Sequence, residues 1–123
     1  MADATSKHSR RAHLVDICQG LPEVVASEQG QHIKFHVRGR TVAYYLDDHH
    51  GDKMVALNCK APPGMRDEIV RSDPERFHVP AYLGAKGWIG LRLDLEYLDW
   101  DEVEQLVTDS YRMIAPRKLV AQL

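Results

Sequence analysis

The apolar positions of this chain change period along its length, and each change marks an element. Leu14, Ile17, Cys18 and Leu21 recur at i, i+3, i+4 and i+7, which places them on one face of a helix. Gly20 and Pro22 supply its stop, and Ser9 is a candidate N-cap. From His32 the period falls to two. Ile33, Phe35 and Val37 alternate with His32, Lys34, His36 and Arg38, the signature of a half-buried strand. A two-residue turn at Gly39-Arg40, glycine first as in type II′, predicts Val37 opposite Val42, Phe35 opposite Tyr44 and Ile33 opposite Leu46. The other face then pairs Arg38 with Thr41, His36 with Ala43 and Lys34 with Tyr45, polar enough for solvent.

The polar turn at Asp47–Asp52 leads to a third strand over 53–60, with Val55, Leu57 and Cys59 inward, ended by Ala61-Pro62-Pro63-Gly64. Residues 65–71 read as a short helix contacting the core through Met65, Ile69 and Val70, and Asp73-Pro74 closes it. Phe77–Val79 is a short edge strand, since Pro80 cannot donate to a ladder. A strand over 88–93 follows. Asp99 with Glu102 forms a capping box for a last helix, whose inward stripe is Val103, Leu106, Val107, Ser110, Tyr111 and Ile114 up to Pro116. The predicted fold is α+β: a two-layer sandwich of a mostly antiparallel four- to five-stranded sheet and three helices, in the order α-β-β-β-α-(β)-β-α. Residues 1–8 are too polar to repay ordering and predict a disordered tail, leaving 9–123 as one domain.

A chain of 123 residues can bury a core without disulfides or metals. Sixteen basic against eighteen acidic side chains leave a net charge of −2, so no global field draws it to nucleic acid, and any such binding needs a local patch. No apolar run reaches membrane-spanning length and the first residues carry no apolar leader, which predicts a soluble, cytoplasmic protein with no membrane partner. Cys18 and Cys59 stand alone without metal-ligand spacing and read as buried thiols.

The sharpest candidate surface is the outward face of the sheet. On the register above, Lys34, His36, Arg38, Tyr45, Lys60, Trp88 and Arg92 share it, with Arg40 and Lys86 at loop tips nearby. Basic groups among aromatics neutralise phosphates and stack bases; Lys34, Arg38, Arg40, Lys60, Lys86 and Arg92 are the candidate phosphate contacts, Tyr45 and Trp88 the candidate stackers. The plainer reading is a solvated sheet face with Trp88 tucked into a second small core. Asp47, Asp48, His49, His50 and Asp52 crowd metal-ligating types together, yet adjacent histidines on a loop do not converge on one tetrahedral centre, and a polar turn is the better account. Gly84-Ala85-Lys86-Gly87 lacks Walker spacing and precedes a strand, so it is a turn. No nucleophile elbow, acid pair or Cys/His dyad is spelled out, and no cofactor, metal or catalytic residue is predicted.

Leu21-Pro22, VRGRTVA at 37–43, LNCK at 57–60, PAYLGAKGW at 80–88 and SYRMIAP at 110–116 occur in an order that resembles the YjbR (MmcQ/YjbR) family of small bacterial domains. The resemblance spans about residues 10–118. It implies a two-layer α/β fold akin to bacterial secretion chaperones and a DNA-binding role described as a double wing; it implies no catalytic residue. Residues 94–109 depart from that role, holding seven acidic side chains and no basic one, so the last helix repels a phosphate backbone. The expected function is a non-enzymatic binding domain whose partner is DNA, with a protein-interaction or chaperone-like adaptor as the alternative. A polar pocket would reopen an enzymatic reading.

Overall fold

The computed structural model describes residues 6–123, apart from the side chain of His50. Six antiparallel strands form one sheet: β1 (Val25–Gln29), β2 (His32–Val37), β3 (Arg40–Asp47), β4 (Val55–Lys60), β5 (Phe77–His78) and β6 (Trp88–Arg92), in the spatial order β1-β2-β3-β4-β6-β5. Helices α1 (Lys7–Gln19) and α3 (Trp100–Ile114) pack on one face, α2 (Arg66–Ser72) lies against β5 and β6, and a short α4 (Arg117–Val120) follows α3. Leu14 and Cys18 of α1 and Val103, Val107 and Tyr111 of α3 close one core with Ile33, Phe35, Leu57, Cys59, Ile89 and Leu91. The two-layer α+β fold expected from the sequence is therefore the observed one.

Several details differ from the sequence reading. Helix α1 begins at Lys7, and its cap is Ser6, whose hydroxyl accepts from the Ser9 N–H at 3.1 Å. Residues 6–8 of the expected tail thus form a cap and a first turn; residues 1–5 lie outside the described residues. Strand β1 was not expected. It is an edge strand whose Val25 is 51% exposed, so it needs no alternating apolar face to announce it.

The β2–β3 hairpin is shifted in register. Val37 faces Arg40 and His36 faces Thr41, so the two turn residues are Arg38 and Gly39, at φ 50 and φ 78. Positive φ at both positions is the type I′ pattern, whose twist matches the flanking strands better than a type I or II turn would. Arg38 adopts the left-handed conformation that β-carbons disfavour while its guanidinium holds Glu23 through two 2.9 Å hydrogen bonds. Past Val42 the pairing slips by one residue, to Phe35 with Ala43 and Ile33 with Tyr45. Because strand side chains alternate, this slip turns Tyr45 inward and Tyr44 outward, reversing the expectation for both.

Val42 is the extra residue of this bulge, and its carbonyl finds its partner in α3. The Ser110 hydroxyl donates to Val42 O at 2.7 Å and accepts from the Lys60 N–H at 3.0 Å. Ser110 is fully buried, so a helix side chain completes the hydrogen bonding of two sheet strands. The neighbouring Tyr111 hydroxyl donates to Pro22 O at 2.8 Å, fixing the segment after α1 to α3.

Tyr45 is 1% exposed and its hydroxyl has no hydrogen-bond partner among the described residues. Burial, with Asp47 adding to it, pushes the phenol up to about 12. Tyr45→Phe is therefore expected to leave stability unchanged or raise it by up to about 1 kcal/mol in urea unfolding; a satisfied hydroxyl would make the same change cost about 1 kcal/mol.

Candidate functional site: the outer face of the sheet

The face opposite α1 and α3 carries a row of side chains that crosses five strands. Register places Lys34 (β2) beside Tyr44 (β3), Tyr44 beside Asn58 (β4), Asn58 beside Gly90 (β6), and Gly90 beside His78 (β5). On one side of this row Lys60 pairs with Trp88; on the other Leu46 pairs with Ala56 and Ala56 with Arg92. The segment between β5 and β6 folds back over the row. It is held by Gly84 N–H to Pro80 O at 2.9 Å and Trp88 N–H to Leu83 O at 3.3 Å, and the Arg66 side chain donates to Gly84 O.

Beneath that segment run two adjoining cavities. One, of about 260 Å³, is lined by Tyr44, Leu46, His49, Asn58, Ala81, Tyr82 and Leu83. The other, of about 240 Å³, shares Leu46, His49, Asn58 and Ala81 with it and continues past Ala56 to His78, Val79 and Pro80. Asn58 is 3% exposed, and its Oδ1, like Nδ1 of His78, is buried with no hydrogen-bond partner among the described residues. Burial holds the His78 imidazole below its ordinary pKa, so it is neutral at pH 7. Its ring lies flat against Gly90, where an added β-carbon would stand 2.2 Å from Nε2. Glycine is thus required there for the imidazole to lie on the sheet.

The residues expected to contact phosphate separate into two groups. Arg38 is bound to Glu23, and the Arg40 guanidinium donates to Ile114 O at 3.0 Å, on the helix side of the sheet. Arg92 grips Asp94 through hydrogen bonds of 3.0 and 3.1 Å. Burial alone would raise the Asp94 carboxyl; the Arg92 hydrogen bond and the Val55 N–H outweigh it and hold it below the usual range. Lys34, Lys60 and Lys86 have no carboxylate within ion-pair distance among the described residues. Lys60 and Lys86 are brought near each other by the Ala61 N–H to Gly87 O bond of 3.1 Å.

Neither expected stacker is positioned to stack a base. Tyr45 points into the core, and Trp88 is 7% exposed, tilted against Tyr44 at 6.1 Å between ring centroids. The second small core of the plainer reading is therefore present. Tyr44, Asn58 and His78 were missed as site residues. A signal existed: asparagine in the middle of an otherwise apolar strand, LNCK, is disfavoured unless its amide has a use.

The Asp47–Asp52 segment is a polar turn. The Asp48 carboxylate accepts from Lys53 N–H at 2.8 Å, the Asp52 carboxylate accepts from Met54 N–H at 2.9 Å, and Asp47 pairs with Lys7 at 3.0 Å. No three metal-ligating side chains converge among the described residues. Cys18 and Cys59 are free and buried, and burial pushes both thiols up, so neither presents a thiolate. Among the described residues no helix is long and apolar enough to cross a membrane.

These features define a class: a small α+β domain with helices on one face of an antiparallel sheet and a grooved, lysine-bordered opposite face. The chain belongs to the YjbR family, whose sequence profile matches residues 19–113. The fold is shared with the crystal structure of Deinococcus radiodurans protein DR2400, a DUF419 domain, at 22% identity and a TM-score of 0.66, over 81% of this chain and 74% of that one. No curated protein matches the chain.

Proposed function

We propose that this domain is a non-enzymatic DNA-binding module that meets the phosphate backbone with the outer face of its sheet. The observation that carries this reading is that Lys34, Lys60 and Lys86 are without carboxylate partners on the face turned away from acidic α3. Arg38 and Arg92 are paired with Glu23 and Asp94, and Arg40, bonded to Ile114 O, lies on the helix side of the sheet. Three phosphate contacts predict a log–log salt slope of about −2 to −3 on duplex DNA.

Fluorescence anisotropy with labelled mixed-sequence duplexes and single strands tests it. The triple variant Lys34→Glu, Lys60→Glu, Lys86→Glu is expected to weaken low-salt affinity by about 10²-fold or more and flatten the slope. Arg112→Glu, on exposed α3, is expected to change neither. Absence of binding to any of these DNAs at low salt rejects the reading. A protein partner is the second reading, favoured by the exposed acidic side chains Asp101 and Glu104 on α3; a nuclease-insensitive, co-purifying protein supports it.

A further inference from the structure

We infer that the groove beneath residues 79–83 is a binding pocket for one small planar heterocycle of the nucleobase class, lined by Tyr44, Asn58 and His78. The inference goes beyond the phosphate contacts and stands without them. Its first support is shape: two adjoining cavities of about 260 and 240 Å³ share Leu46, His49, Asn58 and Ala81.

The second support is polarity. In a groove lined also by His49 and Asp52, two buried polar atoms, Asn58 Oδ1 and His78 Nδ1, have no protein partner among the described residues. A buried polar group without a hydrogen bond is destabilising, and Leu or Val at 58 would avoid that cost within a strand. Asn58 lines both cavities and His78 the second, and the two residues belong to β4 and β5, which flank β6. Strands lie about 4.8 Å apart, so the two side chains rise from backbone positions about 10 Å apart across Gly90. The His78 imidazole lies over Gly90 and so spans part of that distance; a planar ring with polar edge atoms offers each of the two residues a hydrogen-bond partner. An aliphatic ligand would leave both atoms unpartnered, and an anion would meet a neutral imidazole and a carbonyl oxygen.

Gly90 permits the arrangement. Any larger residue there would displace the His78 ring, which a β-carbon would approach to 2.2 Å. The amide is held in depth by its strand: Asn58 pairs with Tyr44 on one side and Gly90 on the other, between the buried neighbours Leu57 and Cys59. Lys34 follows Tyr44 on the same row, so a phosphate attached to the bound ring would lie toward a cation.

The test is thermal shift and calorimetry of the full chain with adenosine, guanosine, cytidine and thymidine, each to millimolar concentration, and with single-stranded homopolymers of the same bases. At least one nucleoside is expected to raise the melting temperature and bind with micromolar to millimolar affinity. Asn58→Leu is expected to weaken that binding about tenfold or more while leaving the unliganded protein as stable as before or more so. Ala81→Trp, on the exposed segment above the groove, blocks it without touching the core and covers the case in which Asn58→Leu does not fold. No shift with any nucleoside or homopolymer, or a shift that survives both variants, overturns the inference. Lys60→Glu with Lys86→Glu separates this site from the phosphate face: nucleoside binding persists in it even where DNA binding is lost. A homopolymer binding more tightly than its nucleoside marks a base within a strand as occupant, and equal affinities mark a free heterocycle.

Discussion

Ser110→Ala is expected to lower the free energy of unfolding by about 2–4 kcal/mol in urea titration. The hydroxyl is the hydrogen-bond partner of two buried backbone groups, Val42 O and Lys60 N–H, and alanine satisfies neither. Each orphaned group costs about 1–3 kcal/mol, whereas the missing hydroxyl itself leaves almost no cavity. Ser110→Thr keeps the oxygen but adds a methyl group to a fully buried position, so its loss reports packing alone. A cost below about 0.5 kcal/mol for alanine would show that the bulge at Val42 does not depend on α3. The same variant should also speed amide exchange at Lys60, the donor that loses its acceptor.

Arg10→Ala comes second, with an expected loss of about 2–4 kcal/mol. Arg10 is 5% exposed, and its guanidinium donates to the carbonyls of Leu93, Leu95 and Glu96, tying α1 to the chain that leaves β6 for α3. Hydrogen bonds from a charged donor are worth about 1.5–3 kcal/mol each before desolvation is subtracted, and alanine leaves these carbonyls without that donor. Lysine keeps the charge but lacks the planar fork that reaches several carbonyls at once, so Arg10→Lys is expected to recover less than half of the loss. Recovery of full stability by lysine would mean that charge alone matters at this site.

The helices and most strands were legible because their side-chain periods are set by local geometry. Val103, Leu106, Val107, Ser110, Tyr111 and Ile114 trace α3, and its cap at Asp99 accepts from Asp101 N–H at 3.0 Å and Glu102 N–H at 3.3 Å. The hairpin was recognised as a hairpin, but its turn was placed one residue late. Gly39 suits either a type II′ or a type I′ turn, and Arg38 conceals that it takes positive φ. The bulge at Val42 then moved the pairing once more, and its carbonyl bonds to Ser110, 68 residues further on. No local pattern reports a contact at that separation.

The candidate site shows the same division. That Lys34 and two histidines alternate with apolar residues on β2 was visible, and so was the acidic surface of α3. The pairing of Arg38 was not, because Glu23, fifteen residues earlier, reaches it only in the folded chain, whereas Asp94 is a local partner two residues from Arg92. The groove was invisible for a related reason: Tyr44, Asn58 and His78 lie on three strands, and only their register aligns them.

By itself, then, the sequence determined the family, the order of the elements other than β1 and α4, and the core-facing stripes of α1 and α3, because residue type and spacing act within a turn or a strand. The tertiary structure alone decided which face Tyr44 and Tyr45 occupy and that Asn58 and His78 line one groove. Those outcomes depend on strand register, and register is settled by hydrogen bonds and packing between residues far apart in the chain.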